Sequence, residues 1–389
     1  MERNIKLLAW FNLFIEFVLY TPVAIIYFSR VSGSFALGMS VFSIIMVASA
    51  LFEIPTGIFS DLIGRKNTVV VGAISNVIGV IFYAIGGSYL FLVIGAVFEG
   101  LGRSFYSGNN DALLHDTLTA INKPHEFHIY SGKLSSLEQF GTAVMSIVGS
   151  VIASISFVLV MWLSVIPKVI NVIIALNLVE PPHMIKSDGN IYRHLKDSFL
   201  QFFQNRKLRL LTSASTIGYA FGEASFQFRA AFVQTLWPLW AVGLSNTLSN
   251  MGAAVSFYVS GRIINRLSEL KVLIFENIFN RLVNLIALFF PTVLSPALMS
   301  VTSLTYGAGS VAKKSLFQKE FTYDKRATMG SLTSFLGSLV FGVIAIGIGF
   351  IADKTGPVKA LITVNLFLLI PLWFYQQLHK IQKHENTGN

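Results

Sequence analysis

The chain has 389 residues, 53% of them hydrophobic and only 12% charged, with a formal net charge of +10. A soluble domain carries about 25% charged residues, so this composition excludes a water-solvated globule of this size. There is no cysteine, which excludes disulfides, thiolate metal sites and cysteine nucleophiles.

The apolar residues fall in runs of roughly 20, separated by short polar hinges, and such runs read as transmembrane helices. Twelve are predicted, near 7–29, 36–60, 69–88, 90–110, 129–152, 157–179, 208–231, 238–262, 272–290, 294–312, 327–351 and 358–378. None alternates polar and apolar residues, which excludes a membrane β-barrel. No small-residue cleavage site follows the first run, which reads as span 1 and not as a removed signal peptide. With the N-terminus inside, the outer segments hold only Arg30 and Lys354, and most other Lys and Arg lie in the inner segments. This positive-inside bias predicts both termini in the cytoplasm. It also accounts for the basic charge without a nucleic-acid partner.

In chain order, span 1 carries Glu16 near its middle. A carboxylate at that depth is costly and faces a cavity or a partner; one able to take and lose a proton could couple transport to a proton gradient. Span 2 ends in Glu53-Ile-Pro-Thr-Gly57-Ile-Phe-Ser-Asp61-Leu-Ile-Gly64-Arg65-Lys66, a short charged hairpin leading directly into span 3. Gly72, Gly79 and Gly86 share one face of span 3, as small residues do where membrane helices pack closely. Glu99 and Arg103 in span 4 are four apart and fit an intrahelical pair. Asp111 and Asp116 follow at its inner end, Glu138 lies in the inner half of span 5, and Lys168 is mid-span 6 beside Pro167.

Span 6 gives way near Glu180 to Pro-Pro-His-Met-Ile-Lys-Ser-Asp-Gly-Asn, a breaker-rich stretch. Residues 191–203 then fit either a short amphipathic helix on the inner membrane surface or a plain linker. The domains are therefore an N-terminal six-helix bundle at 1–180, a cytoplasmic linker at 181–207 and a second bundle at 208–389. Span 7 holds Glu223, with Phe226 and Phe228 as candidate cavity lining and Arg229 near its outer end, where its side chain would snorkel to the surface. Span 9 holds Glu276 and Arg281, which read as structural. The halves repeat weakly at an offset near 200: Gly57 and Asp61 fall opposite Gly261 and Asn265, and Glu16 opposite Glu223. Paired halves of this kind rock about a site at the bilayer midplane. No phosphate loop, zinc motif or nucleophile elbow occurs; Gly309-Ser-Val-Ala-Lys-Lys-Ser315 lacks the glycine before its lysine.

This layout, with Gly57-x-x-x-Asp61-x-x-Gly64-Arg65-Lys66 after span 2, resembles the major facilitator superfamily over essentially the whole chain. The stretches Glu53–Gly57, Ser107–Asp116 and Arg326–Ser331 are similar to a bacterial branch rich in exporters. Two features depart from that pattern: Ala96 stands where span 4 normally has an arginine, and span 5 lacks a Gly-Pro pair. The resemblance implies an all-α membrane protein, with twelve transmembrane helices in two pseudo-symmetric six-helix bundles. It implies a gating latch in which Asp61 approaches the start of span 11 near 327–330, and Arg65 pairs with Asp116 or Asp111. Gly57 and Gly64 would allow close helix approach and a tight turn.

The reading is a non-enzymatic, cofactor-free and monomeric secondary transporter in the inner (plasma) membrane. It would work by alternating access and exchange protons for a small amphipathic or apolar compound. Glu16 and Glu223, with Glu99, Arg103, Glu138 and Lys168, are the candidate substrate and proton residues. A proton-coupled importer of a polar solute, with Arg103 and Lys168 binding an anion, is the alternative. A receptor or lipid-handling protein on the same scaffold is a third.

Overall fold

A computed structural model describes residues 2–107, 109–181, 205–320 and 326–387. Among them every regular element is helical: α1 (Glu2–Ile15), α2 (Ala24–Ser32), α3 (Phe35–Ile63), α4 (Arg65–Ile85), α5 (Tyr89–Tyr106), α6 (Asn109–Ala120), α7 (Phe127–Ile155) and α8 (Phe157–Leu176) come first. They are followed by α9 (Arg206–Leu236), α10 (Val242–Leu267), α11 (Glu269–Phe289), α12 (Ser295–Val301), α13 (Ser303–Glu320), α14 (Arg326–Thr355), α15 (Pro357–Phe367) and α16 (Ile370–Thr387). The expected amphipathic helix at 191–203 lies outside the described residues.

Helix ends follow local chemistry. Ser34 and Ser156 are extended N-caps whose hydroxyls accept the N–H groups of Leu37 and Leu159, satisfying donors that a helix start leaves open. Four expected spans are interrupted. Span 1 becomes α1 and α2, span 4 becomes α5 and α6, span 10 becomes α12 and α13, and span 12 becomes α15 and α16.

Among the described residues, eight helical stretches are long and apolar enough to cross a membrane, corresponding to spans 2–6, 9, 11 and 12. Span 1 falls outside this set because its pieces are short. In spans 7, 8 and 10, polar and charged residues dilute the apolar runs. Large apolar side chains such as Phe290, Val343 and Leu90 lie exposed on these helices, which suits a lipid surface and not water.

The chain forms two compact units, one of residues 1–187 with 237–247, the other of 188–236 with 248–389. In the first, Leu8 and Phe11 of α1 pack with Val69 and Ala73 of α4, Leu113 and Leu114 of α6 and Ala175 of α8. Gly72 and Gly79 let α4 lie directly on α5: a Cβ at Gly79 would stand 2.9 Å from the Gly95 oxygen. Gly86 belongs instead to the end of α4, where it is the C-cap. Residues 237–247 pack on α7 in this unit, with Gly243 against the main chain of Ser146 and the Thr247 hydroxyl donating to the Ala143 oxygen at 2.9 Å. In the second unit Leu211 and Ala214 of α9 meet Leu270 and Leu273 of α11, Ala308 and Ala312 of α13, and Tyr375 of α16.

The repeat predicted from sequence is uneven at its most important position. Glu16 lies in the interruption of span 1, whereas Glu223 lies inside α9, a continuous helix of 31 residues.

Candidate functional site

The hairpin after span 2 is a two-helix corner. Gly64 sits between α3 and α4 at φ +92°, a conformation that glycine adopts without strain. A Cβ there would lie 2.8 Å from the carboxylate of Glu180. That carboxylate accepts the main-chain N–H groups of Arg65 and Lys66, each at 2.7 Å. It therefore caps the start of α4, where an anion also opposes the helix dipole. Sequence reading gave Glu180 no role, because its partners lie 115 and 114 positions away.

Arg65 Nη1 donates to the Ser60 hydroxyl at 3.1 Å, and its Nε stands 3.8 Å from Asp116 Oδ2. Of the two candidate acids, Asp116 is the one at Arg65; Asp111 lies on an exposed face of α6. Asn109, also missed, ties the corner together: it accepts from Ser60 at 2.7 Å and donates to the Arg65 oxygen at 3.1 Å. At Gly57 no atom of the described residues lies within 4 Å of where its Cβ would be. The side chains of Asp61 and of 327–330, and with them the expected latch, lie outside the described residues.

A second cluster lies within the membrane part of the first unit. Helix α1 ends at Ile15 and regular helix resumes only near Thr21. The buried Lys168 of α8 donates to the Ile15 oxygen at 2.6 Å. One turn further on, Asn171, with its amide assigned so that donor meets acceptor, donates to the Phe11 oxygen at 3.1 Å and accepts from the Ile15 N–H at 3.2 Å. Lys168 thus engages a main-chain carbonyl, which was not foreseen. Thr142 of α7 donates to Glu16 Oε2 at 3.3 Å and to the Glu138 oxygen at 3.0 Å.

Glu138 lies within electrostatic range of Glu16, and Lys168 within range of Glu16, Glu99 and Arg103. Glu99 Oε2 accepts the hydroxyls of Tyr83 at 2.9 Å and Tyr20 at 3.3 Å. Arg103, one turn on, is exposed. Five residues singled out from sequence therefore share one neighbourhood: Glu16, Glu99, Arg103, Glu138 and Lys168. The two tyrosines and Asn171 complete it and carry no signal in a single sequence. Chemically, the cluster gathers carboxylates with one buried ammonium and two buried tyrosine hydroxyls. Among the described residues no group of His, Asp and Glu could hold a metal ion.

The sequence profile of the Major Facilitator Superfamily matches residues 7–313. The chain belongs to that superfamily. An uncharacterised MFS-type transporter of Methanocaldococcus jannaschii is 22% identical over 377 residues, covering 92% of this chain and 93% of the relative. An uncharacterised transporter of Buchnera aphidicola is 27% identical over 170 residues; the match takes in 43% of this chain and 40% of that protein. The nucleoside transporter NupG superposes with a TM-score of 0.79 at 14% identity, covering 97% of this chain and 99% of that one. A bacterial homologue of the human lysosomal transporter Spinster gives 0.76 at 14% identity, with 97% of both chains covered. These structural likenesses establish the twelve-helix fold of a multi-pass membrane transporter.

In this superfamily member, the second unit carries buried charges of its own. Glu223 accepts from Gln227, one turn on, at 2.8 Å. Phe226 is exposed but Phe228 is fully buried, so Phe228 is core and not cavity lining. Arg229 is also buried, contrary to the expected snorkelling side chain. It donates to the Ser249 hydroxyl at 3.0 Å, the Pro296 oxygen at 2.9 Å and the Ser300 hydroxyl at 2.8 Å, joining α9, α10 and α12. Arg281 donates to Asn365 at 3.0 Å, and the carboxylate of Glu276 occupies the space beside Gly309.

Proposed function

We propose that this protein is a proton-coupled secondary transporter that exports a small amphipathic compound by alternating access. One observation carries the reading: Glu16 stands at an interruption of a membrane-spanning helix, hydrogen-bonded to Thr142 and in range of Glu138. A carboxylate kept at such depth needs a function or a partner, and broken helices are where transporters bind ions and substrates. Tyr20 and Tyr83 are buried and hold Glu99 through their hydroxyls, which fixes a second carboxylate in the same neighbourhood. Glu223 is the second proton or substrate carboxylate, and Asp61 with Arg65 forms the inner gate. The protein acts as a monomer in the inner membrane with both termini in the cytoplasm, as its inner-face Lys and Arg favour.

The deciding experiment measures export from cells, and gradient-driven flux in proteoliposomes, for the native chain and for Glu16→Gln. The reading expects flux in Glu16→Gln to lose its dependence on the proton gradient. Full, gradient-dependent transport by that variant removes Glu16 from the mechanism.

A second reading, import of a polar solute, draws on the exposed Arg103 beside Glu99 and the two tyrosine hydroxyls. A drug-susceptibility panel run beside a solute-uptake panel separates the two directions.

A further inference from the structure

Helix α1 ends inside the membrane, where its last carbonyls have no helical N–H partners and no bulk water to meet them. Such an end requires donors from elsewhere. Helix α8 supplies them from two positions on one face, and both side chains are buried. Lys168 gives its ammonium to the Ile15 oxygen at 2.6 Å, at the end of the helix where a cation also suits the dipole. With its amide oriented so that donor meets acceptor at both ends, Asn171 donates to the Phe11 carbonyl and accepts from the Ile15 N–H. After these contacts the chain turns sharply, with the Val18 N–H on the Glu16 oxygen at 2.8 Å. Glu16, the residue immediately after the capped carbonyl, then reaches Thr142 on α7.

We infer that Lys168, with Asn171, is a positioning residue: it holds span 1 open at Ile15 and thereby fixes where the Glu16 carboxylate stands. The inference rests on the reading of Glu16 as the proton-carrying group and adds the device that places it. The lysine works through the main chain and not as a binding site for substrate anions. Among the described residues, the other titratable and charged groups of this cluster include Tyr20 in the interruption, Tyr83 on α4, Glu138 on α7, and Glu99 with Arg103 on α5. These stay in place when only Lys168 is changed.

The test uses the full chain in lipid. Infrared difference spectra recorded against pH identify the Glu16 carboxyl band by its loss in Glu16→Gln. The same spectra are recorded for Lys168→Met, Lys168→Gln and Lys168→Arg. The glutamine keeps a neutral hydrogen-bond donor, and the methionine keeps only bulk. In parallel, Phe17→Cys provides a single thiol in a chain without cysteine, and its maleimide labelling rate is measured at fixed pH.

The expected result is a shift of at least one pH unit in the half-point of the Glu16 band for Lys168→Met, tenfold in proton affinity. Lys168→Arg should stay near the native value, and Lys168→Gln, which loses the charge in range of Glu16 but keeps a donor, should move less than Lys168→Met. Labelling at position 17 should change at least fivefold in the methionine variant alone. The inference is overturned if folded Lys168→Met keeps the native half-point and labelling rate, or if Lys168→Gln moves as far as Lys168→Met. The second result would mean that the lysine acts by charge. If the native protein shows no Glu16 band across the pH range, the proton reading fails, and the labelling series alone decides whether Lys168 holds the interruption open.

Discussion

Glu180, at the end of the sixth span, holds the main-chain N–H groups of Arg65 and Lys66 at 2.7 Å each. One carboxylate thereby closes the inner end of α8 onto the first turn of α4. Replacing it with alanine strands two donors at a helix start, which costs about 1–3 kcal/mol. Glu180→Ala should lower the thermal midpoint in detergent, measured by size-exclusion of heated samples. Glu180→Gln, with one acceptor oxygen left, should fall between.

Arg229 offers a sharper stability test. It is buried and divides its donors among α9, α10 and α12. Lysine presents a single ammonium in place of the planar fork, so Arg229→Lys leaves acceptors unmet at about 1–3 kcal/mol. Arg229→Met should be worse in folded yield. If the arginine simply reached a lipid headgroup, both variants would melt like the native protein.

Two glycines should behave in opposite ways. A Cβ at Gly100 would stand 2.6 Å from the Ile45 oxygen and 2.7 Å from Ala48, so α3 would have to move. Gly100→Val should abolish folded yield. Among the described residues Gly57 faces no atom within 4 Å, and it lies within α3, so Gly57→Ala should raise stability by about 0.5–1 kcal/mol. Transport measured beside the melt then reports on gating separately from packing.

At the hairpin, Arg65 and Asp116 form a partly exposed pair at 3.8 Å, and such pairs contribute about 1 kcal/mol or less. A double-mutant cycle of Arg65→Gln with Asp116→Asn should give a coupling in that range. The same cycle with Asp111→Asn should give none.

What could be read from the sequence followed from local signals. Runs of apolar residues gave the spans, and the bend at Gly64 followed from its place between two helices. The asymmetry of Lys and Arg gave an orientation, with both termini inside. The charges of spans 1, 4, 5 and 6 were visible as anomalies, and the structure gathers them. Their partners were not visible, because they are ordinary residues brought together by folding: Tyr20, Tyr83, Thr142, Asn171 and Glu180. Arg229 was misread for the same reason, since its depth depends on Ser249 and Ser300 from other helices. The interruptions of spans 1 and 10 were also hidden, as neither Glu16 nor Thr302 is a helix breaker by type.

The unevenness of the two repeats has an evolutionary consequence. A chain built from duplicated halves begins with two interchangeable copies, yet here one copy bends at its carboxylate and the other carries its carboxylate on a straight rod. The copies have divided their labour. A swap of the Glu16 segment for the Glu223 segment would therefore transplant an acid without its joint, and inheritance along this lineage must guard the two positions by different rules.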